Sequence, residues 1–179
     1  MKKLLAVLFF LVVNVLNVSA VNAAQMVRVS DLTLEQYLHQ IRNISSVEIY
    51  SSVASLNFSD PIRYTENDIE SMQLKCWVST ISSNSKIVGG IFFIVDNKNI
   101  VSALKIGLLD QENQLKNGKI FTALMHSVLY PLNLSSSEIS SVISWGIFAE
   151  EPIWCERTQQ FMYVQMSETG MITITAWGE

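Results

Sequence analysis

Between Ile87 and Leu109 the chain carries two apolar runs separated by four turn formers, Asp96-Asn97-Lys98-Asn99. The first run, Ile87 to Val95, is apolar at odd and even positions alike, which predicts a β-strand covered on both faces. The second resumes at Ile100 and ends at Leu109, with Leu104, Ile106 and Leu108 on one face of a strand and Ala103, Lys105 and Gly107 on the other. A membrane span needs about 20 continuous apolar residues. Asp96 and Lys98 interrupt this stretch after nine. The pair therefore reads as a hairpin at the centre of a folded core.

The beginning of the chain follows another logic. Met1-Lys2-Lys3 is basic, Leu4 to Val13 is apolar, and Val18-Ser19-Ala20 and Val21-Asn22-Ala23 both fit a small-residue cleavage pattern. This predicts a signal peptide over residues 1–23 and a single α+β domain over 24–179. Without Lys2 and Lys3 the chain keeps 10 basic against 16 acidic residues, a net charge of −6. That balance argues against nucleic acid or an anionic bilayer as the main partner, because both are met by clustered Lys and Arg. No stable membrane insertion is expected once the leader is gone. A periplasmic or secreted destination follows, and the lysine-led leader suggests a bacterial source.

Cys76 and Cys155 are the only cysteines, 79 positions apart. In an oxidising compartment an even count favours a disulfide. Such a loop closure would contribute about 4–5 kcal/mol in the chain-entropy model. The expectation at this point is one Cys76–Cys155 bridge.

Helices announce themselves by their entry devices. Thr33 with Gln36, Thr65 with Asp68 and Ser135 with Glu138 have capping-box spacing, flanked by Leu32 and Tyr37, Tyr64 and Ile69, and Leu134 and Ile139 as hydrophobic staples. Leu34, Tyr37, Leu38, Ile41 and Ile44 continue the first at helical spacing; Ile69, Met72, Cys76 and Thr80 continue the second. Trp77, Val78 and Ile81 fit a strand equally well. A further helix is predicted from Lys119 to Leu129, ending at Pro131. Val47 to Val53 alternates as a strand would, and Asn57 to Pro61 reads as its break. Phe161–Met166 and Met171–Trp177 alternate around Ser167–Gly170, a closing hairpin. The fold expected is an antiparallel sheet of about four or five strands with three or four helices packed against it.

No sequence motif announces catalysis. G-x-S-x-G and H-E-x-x-H are absent after the leader, and Gly89-Gly90 lies in an apolar strand without a following Lys-Ser or Lys-Thr. Two distant histidines, His39 and His126, and two distant cysteines lack the paired spacing of a zinc site. Glu150-Glu151 and Asp68 with Glu70 are carboxylate pairs, but adjacent acids on exposed chain are ordinarily solvated. No catalytic residue, metal or cofactor is expected. The candidate partner-binding patch is Glu150, Glu151, Trp154, Glu156 and Arg157, since aromatic and arginine anchors inside a charged rim characterise protein-binding surfaces. The function that follows is an exported, non-enzymatic interaction module, such as an inhibitor or immunity protein acting on another exported protein. A carrier of a small apolar ligand or lipid, and an enzyme without a linear motif, are the alternatives.

Overall fold

The two apolar runs form neighbouring strands of one large antiparallel sheet in a computed structural model of the protein, which describes residues 26–46, 54–65, 68, 73–109, 118–143, 152–156, 158–167 and 170–177. In chain order the strands are β1 (Met26–Val27), β2 (Leu56–Phe58), β3 (Ile62–Arg63), β4 (Lys75–Ser83), β5 (Lys86–Val95), β6 (Val101–Leu108), β7 (Ile153–Cys155), β8 (Gln160–Met166) and β9 (Ile172–Trp177). Among the described residues three helices accompany them, α1 (Leu34–Ser45), α2 (Lys119–Leu129) and α3 (Ser136–Ser141), with a 3-10 turn at Tyr130–Leu132. The sheet runs β2-β4-β5-β6-β9-β8-β7, with β1 also on β9 and β3 also on β4.

Local chemistry explains the turns. Asn84 and Ser85 both adopt positive φ between β4 and β5, the backbone that a two-residue hairpin needs to match strand twist. Between β5 and β6, Asp96 Oδ1 accepts from the backbone N–H of Lys98 at 2.8 Å and of Ile100 at 2.9 Å, while Asn99 takes the left-handed position that Asn tolerates. Gly170, at φ 71°, turns β8 into β9.

The pleat sorts the side chains into two layers. Phe93, Leu104 and Ile174 share one row across β5, β6 and β9, and they join the helical residues Tyr37, Leu124 and Leu129 in the main core. The opposite face carries a smaller cluster of Cys76, Val78, Phe92 and Met171. Seven of the ten residues of β5 are buried, on both faces, so the doubly covered strand expected from its composition is found, and all eight residues of β6 are buried as well. The helix layer is pinned at both ends. Thr33 and Gln36 complete the predicted capping box of α1, as do Ser135 and Glu138 for α3. Tyr37 Oη donates to the carbonyl of Val128 at 2.5 Å and ties α1 to α2.

The expected architecture needs correction on three counts. The sheet has nine strands, not four or five. Among the described residues only α1 and α2 exceed seven residues. Cys76 and Thr80, expected on a helix after Thr65, lie in β4. The physical reason is that a spacing of four keeps two residues on one face of a helix and of a strand alike. The extra strands β1, β2, β3 and β7 are two or three residues long, too short to show a period. β2 falls where a break was expected. Val47–Val53 lies outside the described residues, as does most of the segment following Thr65.

The third correction is the disulfide. Both cysteines are free and buried. Cys76 sits on β4 in the small cluster and Cys155 on β7 in the main core, on opposite faces of the sheet. They are five strand steps apart in the sheet order, or about 24 Å at the usual strand spacing. A bridge tolerates Cα atoms no more than about 7 Å apart.

One ion pair anchors the β3 end. Arg63 clamps the Asp68 carboxylate with two donors, and Nη1 also reaches the carbonyl of Cys76 at 2.8 Å. Asp68 Oδ1 accepts the Cys76 N–H at 3.0 Å. These contacts, the Arg63 bond first, hold the Asp68 carboxyl below the usual carboxylate range. A depressed folded-state pKa stabilises above the ordinary value near 4, and the contribution disappears as the pH falls through the depressed value. We expect Asp68→Asn to lower stability at neutral pH by about 1 kcal/mol. It should also flatten the acid limb of the urea midpoint measured against pH. An unchanged acid limb would remove the clamp from the fold's stability.

Candidate functional site

The patch expected at the end of the chain is partly described. Ile153-Trp154-Cys155 forms β7, and Gln159, at φ 52°, helps turn the chain back into β8. In register, Trp154 lies opposite Phe161, and Phe161 opposite Trp177. The Trp154 and Phe161 rings meet edge to face, 4.8 Å between centroids with planes at 61°. Both are half-buried, and Glu156 beside them is exposed. The Glu156 carbonyl accepts from Gln159 Nε2 at 2.5 Å, which stiffens the turn. Glu150, Glu151 and Arg157 lie outside the described residues. β7 is the terminal strand of the sheet order. Thus the anchor and one rim acid come together on an end strand, held by ring packing and without a disulfide.

The histidines are placed apart in the fold. His39 is exposed on α1, with Nδ1 3.3 Å from Asn43 Nδ2. His126 lies on α2, where partial burial lowers its pKa. Among the described residues no group of three or more His, Cys, Asp or Glu converges as a metal site would require. Of the acidic pairs, Asp68 is held by Arg63; Glu70 is outside the described residues.

The thiols are unsuited to nucleophilic chemistry. Burial first, then Asp68, pushes Cys76 up to about 12; burial, then Glu138, pushes Cys155 up to about 11. A thiolate, not a thiol, attacks. We expect the native protein to resist alkylation at neutral pH. Unfolding without reductant should expose two titratable thiols, with no change of mass on reduction. Fewer than two would contradict the placement of the cysteines on separate faces.

Two features escaped the sequence. Lys105 is only 4 % exposed at the centre of the sheet, in the row of Val78 and Phe92. Burial lowers its pKa, while the neighbouring Cys76 acts in the opposite direction. An alternating strand pattern tells the face of Lys105 but not that this face is covered. The second feature is a cleft of about 470 Å³ between the segment leading into α1, the turn after α2 and the β7–β8 turn. Gln40, Tyr130, Asn133, Thr158 and Gln160 contribute to its walls, with Arg28 and Asp31 its charged members. Arg28 is engaged by Asp96 at 2.5 Å. Among the described residues the cleft wall includes no histidine, cysteine or lysine, and the chemistry they offer is hydrogen bonding.

Among the described residues no helix is long and apolar enough to cross a membrane. Compared with known proteins, the chain matches no family model, no curated protein and no solved structure.

Proposed function

We propose that the protein is an exported, non-enzymatic interaction module of inhibitor or immunity type, which presents the Trp154 patch to another exported protein. The observation that carries this reading is the Trp154–Phe161 pair, two packed rings on the end strand β7 and its neighbour β8 that keep part of their surface exposed beside Glu156. Rigid aromatic anchors rimmed by charge are the residues that dominate protein interfaces. A net charge of −6 over residues 24–179 favours a basic partner and rapid association. Residues 1–23 serve as the export signal in this reading, and 24–179 act in the periplasm or outside the cell. The polar walls of the cleft speak against an apolar-ligand carrier.

The test is affinity capture from a periplasmic or culture extract with the folded 24–179 chain as bait. A stoichiometric partner is expected, and Trp154→Ala should weaken its binding by about 30-fold or more, the effect of losing an interface anchor of about 2 kcal/mol. Capture of no stoichiometric protein by natively folded bait would overturn the proposal. So would a partner whose affinity ignores Trp154.

A further inference from the structure

We infer that the cleft beside α1 binds a neutral carbohydrate of about two sugar units, a role separate from the Trp154 patch. Three side chains on its wall have hydrogen-bonding capacity that the fold leaves unused. Among the described residues, the amides of Gln40 and Asn133 and the hydroxyl of Tyr130 make no intramolecular hydrogen bond. Each amide offers two donors and an acceptor, and the phenol adds one of each. They come from α1 and from the turn after α2, elements packed against each other.

The geometry is rigid where it matters. Tyr130 is 49 % exposed, yet the Pro131 and Leu132 that follow it are buried. Asn133 stands in the left-handed conformation, with its N–H bonded to the Tyr130 carbonyl at 3.2 Å. The ring is therefore presented on a closed turn rather than on a free loop. Gln160 Nε2 reaches the Arg28 carbonyl at 3.5 Å across the opposite wall.

Charge selects the ligand class. Among the described residues of the lining Arg28 is the one cation, and it is engaged by Asp96, so a phosphate or carboxylate would meet no free positive group on them. Asp31 is exposed, and its carboxylate would accept hydrogen bonds from hydroxyls and disfavour anions. Amides and one carboxylate around an aromatic face match a pyranose, whose rim is hydroxylated and whose face carries C–H groups. A volume of about 470 Å³ falls within the usual range of small-ligand pockets.

The experiment titrates the folded 24–179 chain with N,N′-diacetylchitobiose and with cellobiose, followed by NMR. Inorganic phosphate and a free dipeptide are the comparators. Saturable binding of at least one disaccharide is expected, with shifts confined to the cleft. Tyr130→Ala should weaken it about tenfold, the size of one aromatic contact, and Gln40→Ala should weaken it as well. Tyr130→Phe, which keeps the ring, should retain most of it, and Ile62→Ala, remote in the fold, should change nothing. The inference is overturned if neither disaccharide binds the folded protein at millimolar concentration. It is equally overturned if phosphate or the dipeptide binds more tightly, or if Tyr130→Ala and Gln40→Ala both bind as the parent does. Because Trp154 is untouched throughout, these outcomes are independent of the partner-capture experiment.

Discussion

Gly89→Ala is expected to destabilise the protein severely, by about 3 kcal/mol or more. Gly89 pairs with Leu108 where β5 runs beside β6. A Cβ there would fall inside the contact distance of the Gly107 carbonyl oxygen, with Leu108 Cδ2 at 3.1 Å and Leu108 Cα at 3.2 Å. The crowding atoms include backbone on a fully buried strand, so no rotamer change relieves them; the two central strands would have to separate. Propensity works in the other direction, since Gly in a strand costs entropy that Ala does not. That gain is about 0.5–1 kcal/mol, whereas overpacking against a fixed backbone costs about 3 kcal/mol or more. Sterics should win. Gly118→Ala makes the comparison, because a Cβ there meets nothing within 4 Å although φ is +62°. Its cost should be confined to left-handed strain of about 1 kcal/mol. Urea unfolding followed by circular dichroism measures both. Equal midpoints for the two variants would show that β5 and β6 are not packed as described.

Phe93→Ala tests the other half of the core. Phe93 is wholly buried in the central strand, and its ring meets Tyr37 edge to face at 6.0 Å and 73°. It is one of the points where the sheet touches α1, which also reaches β2 through Arg42 and the Phe58 carbonyl. Truncation removes the apolar contact and leaves a cavity bordered by rigid strands, for an expected loss of about 3–5 kcal/mol. Ile62→Ala, on the short β3 and 64 % exposed, should lose almost nothing. A small effect at Phe93 would mean that α1 is not seated on the sheet through Tyr37.

Legibility from sequence followed the range of the forces. Thr33 with Gln36 and Ser135 with Glu138 satisfy their own neighbours' backbone groups, and both capping boxes form where their spacing indicated. At Thr65 the same spacing preceded a chain that enters β4 only ten residues later. Asp68 turns instead to Arg63 and the Cys76 N–H, partners 5 and 8 residues away that compete for the capping carboxylate. The candidate site divides along the same line. Trp154 and Glu156 were identifiable by composition, but the ring that supports Trp154 is Phe161, brought there by hairpin register. The cleft was invisible because its walls come from segments that no periodicity connects.

The amino-acid sequence alone determined the Ile87–Leu109 hairpin, the entry points of α1 and α3, the extent of α2 and the C-terminal β8–β9 pair. Each depends on contacts within a few residues or on a period repeated often enough to be counted. Tertiary structure alone decided the number and order of the strands, the burial of Lys105, the cleft, and the separation of Cys76 from Cys155. Strands of two or three residues exist only because a neighbour supplies their hydrogen bonds, and which face of a sheet is covered depends on elements distant in the chain.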